Sequence, residues 1–192
     1  MKKLLITGFD PFGGAAVNPS WLAVQALPDR VGEYELCKLQ IPTVFAKAAQ
    51  IVLERAAQWN PDVILCVGQA GGREAVTPER IGVNIRDARI TDNEGNQPRG
   101  EFVAPEGPAA YFATVPVEKM AQAIRDAGIL ATVSNSAGAF VCNDVLYSLL
   151  HHYAGTPVKV GFIHVPYIPE QAQPNMPLET ITAALEAAIR AC

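Results

Sequence analysis

The 192-residue sequence predicts an α/β protein: three layers, α/β/α, built on a twisted, mainly parallel sheet. Three observations carry this. Short apolar runs of strand length alternate with longer helical patterns along the chain. Several of the runs, such as DVILCVG, are apolar on both faces, as strands are when helices cover a parallel sheet on each side. No internal repeat or linker divides the chain.

KLLITGF (3–9) is the first strand, followed by NPSWLAVQAL (18–27), where Asn18 suits an N-cap and Pro19 the first helical position. YELCKLQIP (34–42) and TVFAKAAQIVLERAAQW (43–59) form the next strand and helix, and DVILCVG (62–68) the strand after them. Between Thr77 and Thr114 the rhythm breaks. ERIGVNIRDARI reads as an extended or hairpin excursion, and DNEGNQPRGEFVAPEGPAAYF is rich in Gly and Pro. Loops beyond ~12–15 residues in a compact domain serve as lids, binding loops or oligomer contacts. Alternation resumes with PVEKMAQAIRDAG (116–128), the strand-like ILATVSN (129–135), the helix CNDVLYSLLHHYA (142–154), the strand VKVGFIHV (158–165) and the helix LETITAALEAAIRA (178–191). The expectation is one domain over 1–192 with an excursion at about 77–115.

With 49% hydrophobic and 18% charged residues the chain has the composition of a folded globular protein. A net charge of -4 and no basic cluster beyond Lys2-Lys3 argue against nucleic acid and favour small molecules or peptides as partners. Asp10 interrupts the opening MKKLLITGFD before a secretory apolar core of ~7–15 residues forms, and no run reaches the ~18 apolar residues of a membrane span. A cytoplasmic location and no membrane partner are expected. The four cysteines lack C-x-x-C pairing, so free thiols and no metal site are expected.

The segment GFDPFGGAAVNPSW follows the first strand and raises the question of a phosphate cradle. The dinucleotide pattern G-x-G-x-x-G fails after Gly8. Gly8 and Gly13 have P-loop spacing, but Gly14 and Ala15 stand where Lys and Ser/Thr are needed. Pro11 removes a backbone donor and Asp10 adds a negative charge. Phe9 and Phe12 instead offer apolar walls at the carboxyl end of a strand, where open α/β sheets bind ligands, or else they fill the core.

Cys142 heads an amphipathic helix with Val145, Leu146, Leu149, Leu150 and Tyr153 as its stripe. Helix N-termini stabilise thiolate and lower a thiol's pKa from ~8.5, while Asp144 opposes this. His151 and His152 lie roughly 14–15 Å along the same helix from Cys142 at ~1.5 Å per residue, out of its reach. His164 closes a strand at the sheet edge where the following helices begin, and can face Cys142. A Cys-His nucleophile pair results. Its orienting third group is open among Glu79, Asp87, Asp92 and Glu94.

FDPFGG…NPSW, GQAGGR, TPERIGVNIRDARITDNEGNQP, SNSAGAFVCN and GFIHVPYIPEQ together resemble the pyroglutamyl peptidase I family of cysteine peptidases over nearly the full length. The resemblance implies a phosphorylase/hydrolase-like fold, Cys142 as nucleophile, His164 as general base and acid, and Glu79 as its orienting carboxylate. It implies Arg89 beside the oxyanion, Phe9, Phe12, Ile90, Phe140 and Val141 at the pocket, and Asn18 and Gln69 as polar contacts. It also implies no cofactor, N-terminally pyroglutamylated peptides as partners, and assembly into a homotetramer. A phosphate-dependent transferase on a similar scaffold and a non-catalytic pyroglutamyl-binding module are the competing readings.

Overall fold

The computed structural model describes all residues from Met1 to Cys192. Its elements run β1 (Lys2–Phe9), α1 (Pro19–Ala26), β2 (Arg30–Val31), β3 (Tyr34–Ile41), α2 (Lys47–Trp59), β4 (Val63–Gln69), β5 (Thr77–Pro78), β6 (Ile81–Val83), β7 (Ala110–Phe112), α3 (Val117–Asp126), α4 (Val141–His152), β8 (Lys159–Val165) and α5 (Leu178–Arg190). Six strands form a sheet in the order β2-β3-β1-β4-β8-β5. The four central strands are parallel, and the short edges β2 and β5 run antiparallel to their neighbours.

Alternation along the central strands sorts two cores. Leu4, Ile6, Leu65, Val67, Ile163 and Val165 face residues of α1, α3 and α5, including Val24, Met120 and Leu185. Leu5, Ile64, Cys66, Val160 and Phe162 face α2 and α4 through Val52, Val145 and Leu149. The three-layer, mainly parallel architecture read from the sequence is the one observed. Gly8 allows α1 to lie directly on β1, because a Cβ there would come within 2.5 Å of the Trp21 backbone.

Two segments differ from expectation. The helix read as starting at 43 begins at Lys47, because the backbone N–H of Phe45 donates to Asp92 and that of Ala46 to Asp144. The strand expected at 129–135 is reduced to single bridges, Ala131 with Val76 and Ser134 with Glu79. Bonds from Val76 N–H to Leu130 O and from Arg80 N–H to Ser134 O leave a gap at Pro78, which has no N–H to continue the ladder.

The excursion is a spread hairpin: β6 and β7 pair, and residues 84–109 loop out between them. Asn84 holds the loop's return through Ala104 and Gly107, and Arg86 and Glu101 exchange backbone bonds. No helix is long and apolar enough to cross a membrane.

Candidate active site

The register of β4, β8 and β5 places several chemically capable residues on one sheet face near the carboxyl ends of β4 and β8. Gly68 of β4 pairs with His164 of β8, and Thr77 of β5 pairs with His164 from the other side. The Glu79 N–H donates to the Phe162 carbonyl at 2.9 Å, which continues the β5 pairing and brings the Glu79 side chain diagonally to His164. His164 Nδ1 and Glu79 Oε1 are 2.6 Å apart. The Glu79 side chain is fully buried and that of His164 nearly so.

α4 begins above this face. The Cys142 sulfur sits over Gly68, where a Cβ would be 2.9 Å from Sγ and 2.8 Å from the Phe162 ring. Only glycine leaves that space. Phe140 is the N-cap, in an extended conformation and with no side-chain cap bond, and the first helical bond is Asp144 N–H to Phe140 O at 3.1 Å. The preceding N–H groups, Cys142's among them, have no partner within the helix and are available to an oxyanion.

Cys142 is half-buried, with its sulfur packed against Gly68. Burial pushes the thiol up to about 12, with the negative charge of Glu79 and then Cys66 adding, and Arg73 opposing. The lowering expected from the helix terminus is therefore outweighed by desolvation. Asp144 takes no part, because its buried carboxylate is paired with Arg86 Nε at 2.6 Å and accepts the Ala46 N–H at 2.7 Å. Burial lowers the His164 pKa below its ordinary value, although Glu79 acts to raise it. Burial would raise the Glu79 pKa, but the bond and charge of His164, then the Ser134 hydroxyl and Arg73, bring it below the usual carboxylate value. An ionised carboxylate only accepts, so the neutral imidazole carries its proton on Nδ1 and keeps an unprotonated Nε2.

Among the four carboxylates left open by sequence, Glu79 alone contacts His164. Asp92 instead organises its own turn by accepting from Glu94, Asn96 and Phe45, Glu94 pairs with Lys47, and Asp87 lies on the rim of a cavity beside Arg89. His151 hydrogen-bonds Tyr111 and His152 stacks edge-on against Tyr153, both at the far end of α4.

Two cavities meet at Ile90. One, of about 650 Å³, is lined by Phe12, the Gly13–Val17 loop, Gln69, Tyr167 and Gln171 among others. The other, of about 500 Å³, is lined by Asp87, Arg89, Gly138, Ala139 and Phe140. The rings of Phe12 and Phe140 are 6.1 Å apart. Gln171 Oε1 accepts the Ile168 N–H, and its Nε2 donates to Oε1 of the cavity-lining Gln69 at 2.8 Å, which fixes that amide's oxygen and leaves its Nε2 as the donor. Arg89 is exposed and has no side-chain partner in the protein.

Three residues expected at the pocket are buried and line neither cavity. Phe9 is 2% exposed and packs on Phe162 at 6.3 Å. Val141 is buried in the core at the head of α4. Asn18 is the N-cap of α1, accepting from the Ser20 N–H and hydroxyl, while its Nδ2 donates to the Asp10 carbonyl. Asp10 in turn ties the first loop to Thr43 and Asn93. Sequence reading gave no role to Gly68, Arg73 or Gln171. GQAGGR holds two of the three, but nothing in the string pairs Arg73 with Glu79.

A thiol over a strand glycine, an imidazole in register with that glycine and a buried carboxylate on the imidazole's far nitrogen define a cysteine-type hydrolase on an α/β sheet. The family model described as pyroglutamyl peptidase matches residues 2–192. Pyrrolidone-carboxylate peptidase of Staphylococcus saprophyticus is 50% identical over 98% of this chain and 92% of its own length, and that of Bacillus cereus is 47% identical over the same shares. Pyroglutamyl peptidase I of Bacillus amyloliquefaciens superposes with a TM-score of 0.94 at 47% identity, covering 100% of this chain and 96% of that one. The pyrrolidone carboxyl peptidase of Thermococcus litoralis gives 0.95 at 38% identity, with 100% and 93% coverage. The chain belongs to the pyroglutamyl peptidase family of cysteine-type hydrolases, which act on peptides with N-terminal pyroglutamyl residues.

Proposed function

We propose that residues 1–192 act as a single catalytic domain that releases N-terminal pyroglutamate through a thioester on Cys142. The observation that carries this is the hydrogen bond of 2.6 Å between His164 and Glu79, on the sheet face over which the Cys142 sulfur sits. At rest both thiol and imidazole are neutral. As Cys142 Sγ bonds to the pyroglutamyl carbonyl carbon, its proton passes to His164 Nε2, and Glu79 stabilises the resulting imidazolium. The carbonyl oxygen takes the negative charge, facing the Cys142 N–H and the Arg89 guanidinium. Collapse breaks the C–N bond, and the amine leaves with the proton from His164. Water then attacks the thioester, gives its proton to His164, and the thiol is restored as pyroglutamate departs.

The substrate's lactam is flat and uncharged, so apolar walls with few polar groups suit it. Phe12, Ile90 and Phe140 supply the walls, with Phe9 and Val141 supporting them from the core. Gln69 Nε2 donates to the lactam carbonyl, and Asn18 fixes the loop that carries Phe12. No metal or organic cofactor enters any step. The same reading places the protein in the cytoplasm as a homo-oligomer, a tetramer by family resemblance. The exposed Phe102 and Phe112 of the excursion and β7 support assembly.

The purified protein is expected to release a fluorophore from a pyroglutamyl amide under reducing conditions, in the presence of a chelator, and to lose this on Cys142→Ser. No release, or release dependent on added phosphate, would contradict the reading.

A further inference from the structure

We propose that Arg73 is a positioning residue for catalysis: its guanidinium keeps Glu79 ionised, and thereby holds His164 in the tautomer whose Nε2 can accept the Cys142 proton. The inference rests on the Cys142, His164 and Glu79 reading and adds a fourth member that no motif logic assigned. Glu79 Oε1 takes two bonds of 2.6 Å, one from His164 Nδ1 and one from Arg73 Nη1. Glu79 Oε2 is buried with no hydrogen-bond partner. Burying a charge is costly unless it is paired; His164 and the Ser134 hydroxyl favour the ionised carboxylate, and Arg73 is the one permanently charged group paired with it.

Arg73 is itself held at further points. Nη1 also donates to the Thr77 hydroxyl at 2.6 Å and Nη2 to the Ser136 carbonyl at 3.0 Å. Thr77 is the partner of His164 across the β5–β8 ladder, and Ser136 lies in the turn that leads to Cys142. The guanidinium therefore joins β5, which leads into Glu79, to the segment that leads into α4 and Cys142. Its outer side is about a third exposed and lines a cavity of about 620 Å³ with Thr77, Ser134 and Ser136. That cavity shares no lining residue with those at Phe12 and Phe140.

Without the cation, Glu79 gains a proton at higher pH. A protonated carboxyl donates to Nδ1, the neutral imidazole then carries its hydrogen on Nε2, and that nitrogen cannot take the thiol proton. Beside burial, the charged and titratable groups around the pair oppose one another. Arg73 lowers both the His164 and the Cys142 pKa, Glu79 raises both, and Cys66 raises that of Cys142 from β4.

Arg73→Met, Arg73→Gln and Arg73→Lys are compared with wild type on a pyroglutamyl amide. Positioned proton transfer contributes about 10²–10⁴-fold, so the Met and Gln variants are expected to lose roughly 10- to 100-fold in kcat with KM within about twofold. Their acid limb of kcat/KM moves to higher pH, and Lys restores most of kcat. Imidazole 15N spectra in the Cys142→Ser background give a readout independent of turnover: His164 protonated on Nδ1 with Arg73 present, and on Nε2 with Met or Gln. An unchanged pH limb and an unchanged tautomer overturn the proposal, as does a loss carried by KM alone or shared equally by Lys. A wild type without turnover refutes the parent reading instead, and the spectra still decide the role of Arg73.

Discussion

Asp144 does not act on Cys142, although only Asn143 separates them in the chain, because the Asp144 carboxylate is committed to Arg86 and the Ala46 N–H. What sets the thiol's state is its burial beside Gly68, with the charge of Glu79 adding, and both favour the neutral thiol. Cysteine and histidine were legible from sequence through helix and strand ends. The choice of Glu79 over Asp87, Asp92 and Glu94 was not, since it depends on the diagonal of an antiparallel edge only two residues long. Phe9 illustrates a second limit: a strand-end aromatic reads equally as pocket or core, and the structure buries it against Phe162. Phe9→Ala is expected to cost about 3–5 kcal/mol of stability as well as activity. Urea unfolding checks this, and a loss below about 1 kcal/mol would contradict a core role.

At the scale of elements, α4 matters most because it must present one sulfur to one strand glycine. Its head is tied down by side chains rather than by a cap: Asn143 bonds the Val83 and Ile85 backbone, and Asp144 reaches both Arg86 and the turn before α2. Ala46 in that turn has φ +60°, a conformation unfavourable for a residue with a side chain, and the Asp144 bond helps hold it there. Asp144→Ala leaves Arg86 and a backbone N–H without their partner. The expected loss is about 3–5 kcal/mol by denaturant titration. Hydrophobic period located α4 within one or two residues at each end, but the excursion was read only as irregular. Its hairpin closes across more than two dozen residues, and no local signal joins 81–83 to 110–112.

For the whole molecule, alternation and two-sided apolar strands sufficed to give three layers and a parallel centre, since burial on both faces dictates composition directly. Register and strand order come from packing between distant segments, and these assemble the site. The buried site also sets the pH range of stability. His164 and Glu79 have pKa values lowered from 6.5 and 4.5, so the unfolded chain binds their protons more tightly and stability falls with pH, first below about 6.5 and further as Glu79 protonates. Cys66 and Cys142 are raised from 9.0 to about 12, so stability also falls as pH rises above about 9. Urea midpoints measured across pH are expected to be highest between these limits, and a midpoint that rises below pH 6 would contradict this.

The central claim is a covalent one and can be tested by mass. Intact-protein and peptide mass spectra of enzyme quenched in acid during turnover of a pyroglutamyl ester or amide should show one pyroglutamyl group added, localised to Cys142 and removed by hydroxylamine. The adduct should be absent from Cys142→Ser. Turnover without any acyl-enzyme in the wild type, together with activity retained in Cys142→Ser, would contradict the account.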